Sequence, residues 1–221
     1  MIIFDWPRDL NWRPMQGRFG LLPITHLSQS PYTGSLKNIL LTQIWHAEFT
    51  FNHHSIADGV DIQGFIEGLE GGANPVRMFD PWRSQPLLVS TAQTGFSDGS
   101  LFSDGTGFTD GYTLLVDAAA SKGATYITLN GFPASQAVFK RGDIFGLNGC
   151  LYQVRTGVSS NAAGKAVVWV QPGLRGGCAA GDTVNCFFPT CQMRLLNGLD
   201  MLSREFNISS TFTLQFVEDV T

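Results

Sequence analysis

Charge is scarce in this 221-residue chain: 14% of the residues are Asp, Glu, Lys or Arg, and the formal net charge is −4. The lysines and arginines form no cluster along the sequence. Proteins that bind nucleic acid or an anionic membrane surface usually present a basic patch. We therefore expect no nucleic acid and no membrane among the partners of this protein.

Long apolar runs are missing too. No stretch approaches the ~20 apolar residues of a membrane-spanning helix. The amino terminus, MIIFDWPRDLNW, contains acidic residues and two tryptophans, whereas a signal peptide needs a basic start and an apolar centre. The sequence predicts a protein made in a cytoplasm.

Cysteine is rare, and its spacing excludes the common structural metal sites. Cys150, Cys178, Cys186 and Cys191 match neither C-x-x-C pairs nor a Cys/His zinc pattern. Buried free thiols are the simplest interpretation, because cysteine without a chemical task behaves as a small apolar residue.

Histidines meet acidic residues at one place, where His53 and His54 precede Asp58 and Asp61. Adjacent residues at the end of a strand point to opposite faces, so the two imidazoles do not readily reach one ion. We predict an exposed loop here and no metal.

One segment has the form of a hydrolase motif: residues 95–99, GFSDG, satisfy G-x-S-x-G around Ser97. In an α/β-hydrolase a helix follows the serine and the histidine comes last. Here turn-forming repeats follow, and every histidine precedes the motif. The sequence also has no glycine loop for phosphates, no paired carboxylates in an apolar setting and no Cys/His dyad. The sequence therefore predicts no catalytic residue, no cofactor and no metal, and a protein that is not an enzyme.

The repeat at 96–113 is the clearest internal one: FSDGSL, FSDGTG and FTDGYT follow one another, with Asp98, Asp104 and Asp110 in step. Each Asp-Gly favours a tight turn, because glycine accepts positive φ and aspartate bonds back to its own backbone. A string of turns is predicted. Calcium binding by the three aspartates is the alternative, although these six-residue units differ from the nine-residue calcium-binding repeat.

The stretch from Gln43 to Pro81 predicts a strand, a helix and a second strand. Apolar residues alternate from Trp45 to Phe51, as in a strand with one buried face. Ser55 and Asp58 are spaced like a capping box, and an apolar stripe ending at Leu69 follows. Gly71-Gly72 can end the helix. With a last alternating strand at 211–217, the predicted body core is Trp45, Phe49, Phe65, Leu69, Phe79, Phe212, Leu214 and Phe216.

Short β-type runs separated by glycine, asparagine and aspartate predict a mainly β protein. Five such runs lie between residues 126 and 184, and two of them are joined by Asn148-Gly149, a strong hairpin signal. We predict a β-sandwich-like body with one short helix, formed by residues 1–92 and 187–221. A small inserted β-barrel or sandwich domain, residues 93–186, opens with the 96–113 repeat.

The amino-terminal arm is rich in apolar residues and interrupted by Pro7, which favours an extended segment. Such an arm is covered either by its own sheet or by a neighbouring subunit. We predict a subunit interface formed by Phe4, Trp6, Leu10 and Trp12.

The order of these elements is similar to that in the distal tail proteins of long-tailed bacteriophages. The resemblance lies in a tryptophan-bearing strand, a helix ending in L-x-G-G, a strand running into F-D-P, and a final F-x-L-x-F-x-E strand. The matching positions cover the body and none of the insert: Trp45, Phe49, Phe65, Leu69, Gly71, Phe79, Asp80, Pro81, Phe212, Leu214, Phe216 and Glu218.

The resemblance implies that this is a structural protein of the virion, a viral tail protein. In that family the body forms a homo-oligomeric ring, usually a homohexamer, which joins the tail tube protein to the tail-tip hub proteins of the baseplate. A second β domain hangs outside the ring. The location implied is the phage tail tip, after synthesis in the host bacterial cytoplasm.

A second function class remains open, a receptor- or carbohydrate-binding tail adhesin module. It depends on the β-rich insert and on aromatic residues expected to be exposed, such as Tyr152 and Trp169, since aromatic faces can pack on sugars. Aromatic residues of small β domains also fill cores. A ring seen by microscopy favours the hub, and a glycan-binding monomer favours the adhesin.

Overall fold

A computed structural model of the chain describes residues 2–7, 14–29, 36–53, 56–88, 92–94, 108–110, 113–197 and 210–220. These residues form one α-helix, α1 (Ile56–Gly68), followed by a short 3-10 turn (Glu70–Gly72). They also form sixteen strands: β1 (Phe4–Asp5), β2 (Gln16–Gln29), β3 (Leu36–His53), β4 (Val76–Phe79), β5 (Ala92–Thr94), β6 (Phe108–Asp110), β7 (Leu114–Val116), β8 (Tyr126–Asn130), β9 (Ala137–Phe139), β10 (Ile144–Leu147), β11 (Cys150–Val154), β12 (Val158–Ser159), β13 (Ala166–Gln171), β14 (Thr183–Asn185), β15 (Thr190–Leu195) and β16 (Ser210–Glu218). The predicted mainly β fold is confirmed.

The chain divides into two compact units. One, the body, comprises Met1–Pro81 and Cys191–Thr221, and the other, the insert, comprises Trp82–Thr190. The predicted boundaries at 92/93 and 186/187 therefore lie inside the insert. Three hydrogen bonds account for this difference. Arg83 Nη1 donates to Gly142 O (3.0 Å), Leu87 N to the Asp143 carboxylate (3.4 Å), and Phe188 N to Ser84 O (2.7 Å).

The body is built on one six-stranded sheet in the order β1-β4-β15-β16-β3-β2. β16 pairs antiparallel with β3, and the residues of β3 from Trp45 to Phe51 alternate between buried and half-buried as the period of two predicts. Of the predicted body core, the structure buries every residue except Phe65, which is half-buried on α1. Among the described residues of the body, the layer that faces this sheet is a helix and not a second sheet.

The amino-terminal arm is part of its own body, and this corrects the predicted role of Trp6. β1 pairs parallel with β4, and Trp6 is only 3% exposed. Its ring lies 5.8 Å from Phe65 of α1 and 5.7 Å from Phe49 of β3. Trp6 thus fills the space between helix and sheet and offers almost no surface to a neighbouring subunit.

The rest of the arm is described in part. Phe4 is half-buried and packs edge-on against Phe65 with ring centroids 5.9 Å apart. Its backbone N donates to Pro75 O at 3.0 Å. Leu10 and Trp12, the other two predicted interface residues, lie outside the described residues.

The insert contains a closed barrel of six antiparallel strands in the order β10-β11-β13-β8-β7-β14. Closure gives every barrel strand two neighbours, so the barrel has no edge strand. The interior is filled by aliphatic and aromatic side chains, among them Leu129, Phe145 and Val168. β10 and β11 are joined through Asn148 and Gly149, whose φ values of 50° and 77° match the two-residue hairpin that the sequence predicts.

Candidate functional site

The final F-x-L-x-F-x-E motif contacts the tryptophan-bearing strand at the end of β16. The carboxylate of Glu218, which is 7% exposed, accepts a hydrogen bond from the backbone N of Trp45 at 2.9 Å. The ladder between β16 and β3 ends one residue earlier, at Val217 and His46. The side chain of Glu218 thus adds one hydrogen bond beyond the end of the backbone ladder. The final F-x-L-x-F-x-E motif therefore supports the tryptophan-bearing strand.

The L-x-G-G motif is also held by the carboxy-terminal part of the body. Gly72 has φ +92°, and a Cβ added there would lie 2.4 Å from Leu195 O. Arg194 donates from Nη1 to Gly72 O (3.0 Å) and Ala73 O (2.8 Å), and its Nη2 lies 2.7 Å from the Asp219 carboxylate. These contacts are structural, and they place no nucleophile or general base in a cleft.

Among its described residues, the body has a two-stranded ribbon, residues 22–29 of β2 and 36–44 of β3. β2 pairs with β3 from Gln16↔Thr50 to Gln29↔Leu36, whereas β16 pairs with β3 only over His46–His53. Among the described strands, the ribbon therefore has no third strand beside it. β2 is also an edge strand of the sheet, which explains how Pro23 fits within it.

The ribbon exposes apolar side chains on both faces. Leu22 pairs with Ile44, and Ile24 pairs with Thr42, so Leu22 and Ile24 share one face. Their exposures are 42% and 40%. The pairing shifts register between Ile24 and Thr25, where one residue of β3 is skipped. Leu40 therefore lies opposite Thr25, on the other face of the ribbon, and is 53% exposed.

Two-stranded ribbons are marginally stable in water, and exposed edge strands with apolar side chains usually become covered. The ribbon is therefore the best candidate for an interaction surface of the body. The sequence predictions above do not include this ribbon. Neither the pairing of these strands nor the register shift can be read from an apolar pattern.

The four cysteines are free thiols; Cys150 is half-buried and the others are buried. Burial, with a smaller effect of the Asp143 charge, raises the pKa of Cys186 to about 12. This thiol therefore stays protonated at neutral pH and is a poor nucleophile.

Most of the residues considered above as metal ligands or catalytic groups lie outside the described part of the chain. The side chains of His53, His54 and Asp58 lie outside the described residues, as do Ser97, Asp98 and Asp104. Asp61 is exposed. The 96–113 repeat is described only at β6, which pairs with β5, and at Thr113. Within the described ranges, no three His, Cys, Asp or Glu side chains come close enough to hold a metal ion.

The two aromatic residues that supported the adhesin hypothesis differ in exposure. Tyr152 is 2% exposed inside the barrel, where its hydroxyl accepts a hydrogen bond from Arg175 N at 3.0 Å. Burial raises the pKa of this phenol. Tyr152 therefore cannot stack on a ligand. Trp169 is 46% exposed on the outside of the barrel, and its neighbour Tyr126, which sequence reasoning missed, is 52% exposed.

No helix in the described part of the chain is long and apolar enough to span a membrane. In the comparisons with known proteins, no protein-family model matches this chain and no curated protein matches it.

Proposed function

We propose that this protein is a structural component of a bacteriophage virion, a distal tail protein whose body forms a ring, with six copies as the expected number. The ring joins the tail tube protein to the tail-tip hub proteins of the baseplate. The proposal includes no catalytic activity and no cofactor. The protein is made in the host bacterial cytoplasm and is carried at the tail tip.

The ribbon is the observation that carries the proposal. It extends past β16 and exposes Leu22, Ile24 and Leu40 on its two faces. A ribbon with apolar side chains on both faces suits insertion between two neighbours better than contact on one side. A head-to-tail contact of this kind closes into a ring when its rotation allows.

The resemblance supports the same assignment by a separate route. Its motif positions include Trp45, Gly71 and Glu218, which the body fold uses for strand pairing and chain reversal. The insert is a separate compact unit in the chain position that the resemblance assigns to the second β domain.

Ring formation is tested by light scattering and negative-stain microscopy of the full-length protein. We expect closed rings, and we expect Ile24→Asp and Leu40→Asp each to yield smaller species, because a charge on the ribbon must be desolvated in the interface. Leu196→Asp is the matched control. Leu196 is 57% exposed after β15, close to the 53% of Leu40, and its variant should still form rings.

A wild-type protein that stays monomeric at micromolar concentration would contradict the proposal. Assembly of both ribbon variants as readily as the Leu196→Asp control would show that the ribbon is not the interface. Tail-tip location is checked by antibody labelling of intact virions, where signal at the tip is expected and signal confined to the capsid refutes the assignment.

A further inference from the structure

The outer face of the barrel carries two adjacent aromatic rings that the barrel core does not use. Along β13, Ala166, Val168 and Val170 point inwards and are buried, while Val167 and Trp169 point outwards. Trp169 pairs with Tyr126 of β8, and their ring centroids are 5.2 Å apart with the ring planes at 51°. Both side chains are about half exposed.

Leaving this aromatic area in water costs hydrophobic free energy. Neither ring belongs to the packed core of the barrel. Ligand pockets are commonly lined by aromatic side chains with a few polar groups beside them. The pair is therefore more readily explained by a ligand than by folding.

A groove of about 490 Å³ adjoins Trp169, lined by residues 156–161 and 165–167. This volume falls within the range of ~300–1,000 Å³ that is typical of small-molecule sites. The exposed rim includes Thr156, Ser159 and Asn161. It therefore offers hydroxyl and amide groups beside an aromatic surface.

The wall of the groove is held in place before any ligand arrives. The side-chain oxygen of Asn161 accepts hydrogen bonds from Ala163 N (2.9 Å) and Lys165 N (3.0 Å). The hydroxyl of buried Ser160 donates to Pro133 O. A wall fixed in this way limits the entropy lost on binding.

The charge of the groove is small. Lys165 lines it, but its Nζ lies 2.6 Å from the Asp117 carboxylate. This pairing, with the net charge of −4 on the chain, disfavours a nucleic-acid strand. Three exposed apolar side chains, those of Tyr126, Val167 and Trp169, are also too few for a protein interface of ~800 Å² per partner.

We infer that this groove binds a carbohydrate, a short neutral oligosaccharide with one pyranose ring stacked on Trp169. A pyranose presents an apolar C–H face for the indole and a ring of hydroxyls for the polar rim. The groove lies wholly within the insert, so the inference does not rest on ring assembly by the body.

The test is calorimetric titration of the full-length protein with four probes: chitotetraose, cellotetraose, maltotetraose and β-1,4-galactotetraose. We expect at least one probe to bind with a dissociation constant of about 1 mM or tighter. Trp169→Ala should weaken that binding about tenfold or more, and Tyr126→Ala severalfold. Trp169→Phe, which keeps an aromatic face, should recover part of the loss.

Trp82→Ala is the matched control, because Trp82 is 51% exposed in the same unit and does not line the groove. Its affinity should equal that of the wild type. Thermal melts of each variant verify folding, and if Trp169→Ala does not fold, Trp169→Phe and Tyr126→Ala decide the matter.

Failure of all four probes overturns the inference, as does equal binding by Trp169→Ala and wild type. A single-stranded oligonucleotide that binds tighter than every sugar and loses affinity in Trp169→Ala also overturns it. Rings without sugar binding would refute the groove alone, and sugar binding by a monomer would refute the ring alone.

Discussion

The two units of this protein solve the problem of unpaired strand edges in different ways. The insert closes six strands into a barrel, so each barrel strand has a neighbour on both sides. The body keeps an open sheet with β2 at one edge and a ribbon that extends beyond β16. A closed barrel can stand alone, whereas an open edge with exposed apolar side chains calls for a partner. We therefore propose self-assembly through the body, and we expect the insert to fold independently.

The largest expected effect is in the body, at Gly72. Gly72→Ala would put a Cβ 2.4 Å from Leu195 O at a residue with φ +92°, so both a clash and backbone strain arise. We expect a loss of about 3 kcal/mol or more in unfolding free energy. Chemical denaturation should show the transition of the body moving while that of the insert stays.

Gly71→Ala is the control for this substitution. Gly71 has φ +65°, but a Cβ there would meet nothing within 4 Å. Its cost should be about 1 kcal/mol, that of the left-handed backbone alone. If Gly72→Ala lowered both transitions equally, the two units would share one cooperative fold, and the comparison would fail.

The second prediction places the boundary of the insert. A fragment of residues 82–190 should melt cooperatively, because the barrel core lies within it. A fragment of residues 93–186, the boundary suggested by sequence, lacks the bonds of Arg83 to Gly142 O and of Leu87 N to Asp143. It should be less stable by about 2 kcal/mol. Equal urea midpoints for the two fragments would contradict these contacts.

Those contacts also show why sequence periodicity predicted the start of the insert at residue 93 and not at residue 82. Residues 82–92 have no regular alternation, so periodicity cannot assign them to either unit. One of the contacts that attach the described part of this stretch is accepted from Leu87 N by the carboxylate of Asp143, which is 6% exposed and also accepts from Lys140 N at 2.7 Å. A polar contact between residues 56 apart leaves no local trace in the sequence.

Local signals predicted the elements that depend on local chemistry. The Asn148-Gly149 hairpin and the glycine stop after α1 follow from positive φ, which asparagine and glycine tolerate. The alternating strands β3 and β16 follow from one buried face. Long-range pairing decided the rest, since the burial of Trp6 requires β1 to pair with β4.

The face of Tyr152 could not be predicted for a related reason. Residues 144–147 of β10 are all buried, and both Leu151 and Tyr152 of β11 are buried. Alternation therefore gives no inside or outside for this hairpin. In β13 the alternation is regular, and it places Trp169 outside the barrel.

The third prediction sharpens this contrast between inside and outside. Tyr152→Phe removes the acceptor of the 3.0 Å hydrogen bond from Arg175 N in a buried site. It should destabilise the insert by about 1 kcal/mol. Tyr126→Phe, on the exposed outer face, should change stability by less than about 0.5 kcal/mol. Thermal melts that show equal effects would contradict the assignment of the two faces.

The smallest expected effect concerns acid stability of the insert. The hydrogen bond from Lys165, and then that from Asn130, lower the pKa of Asp117 from its ordinary value of 3.8. Because the folded pKa is the lower one, the folded state holds its proton less tightly than the unfolded state. The stabilisation is therefore complete above pH 3.8 and is lost as the pH falls through the folded pKa.

Asp117→Asn should lower the melting temperature of the insert at neutral pH, and the gap to wild type should close in strong acid. Lys165→Met, which removes the main partner, should reduce the same pH dependence. A gap between wild type and Asp117→Asn that stays constant from neutral pH into strong acid would show that this carboxylate stabilises the barrel by packing and not by its charge.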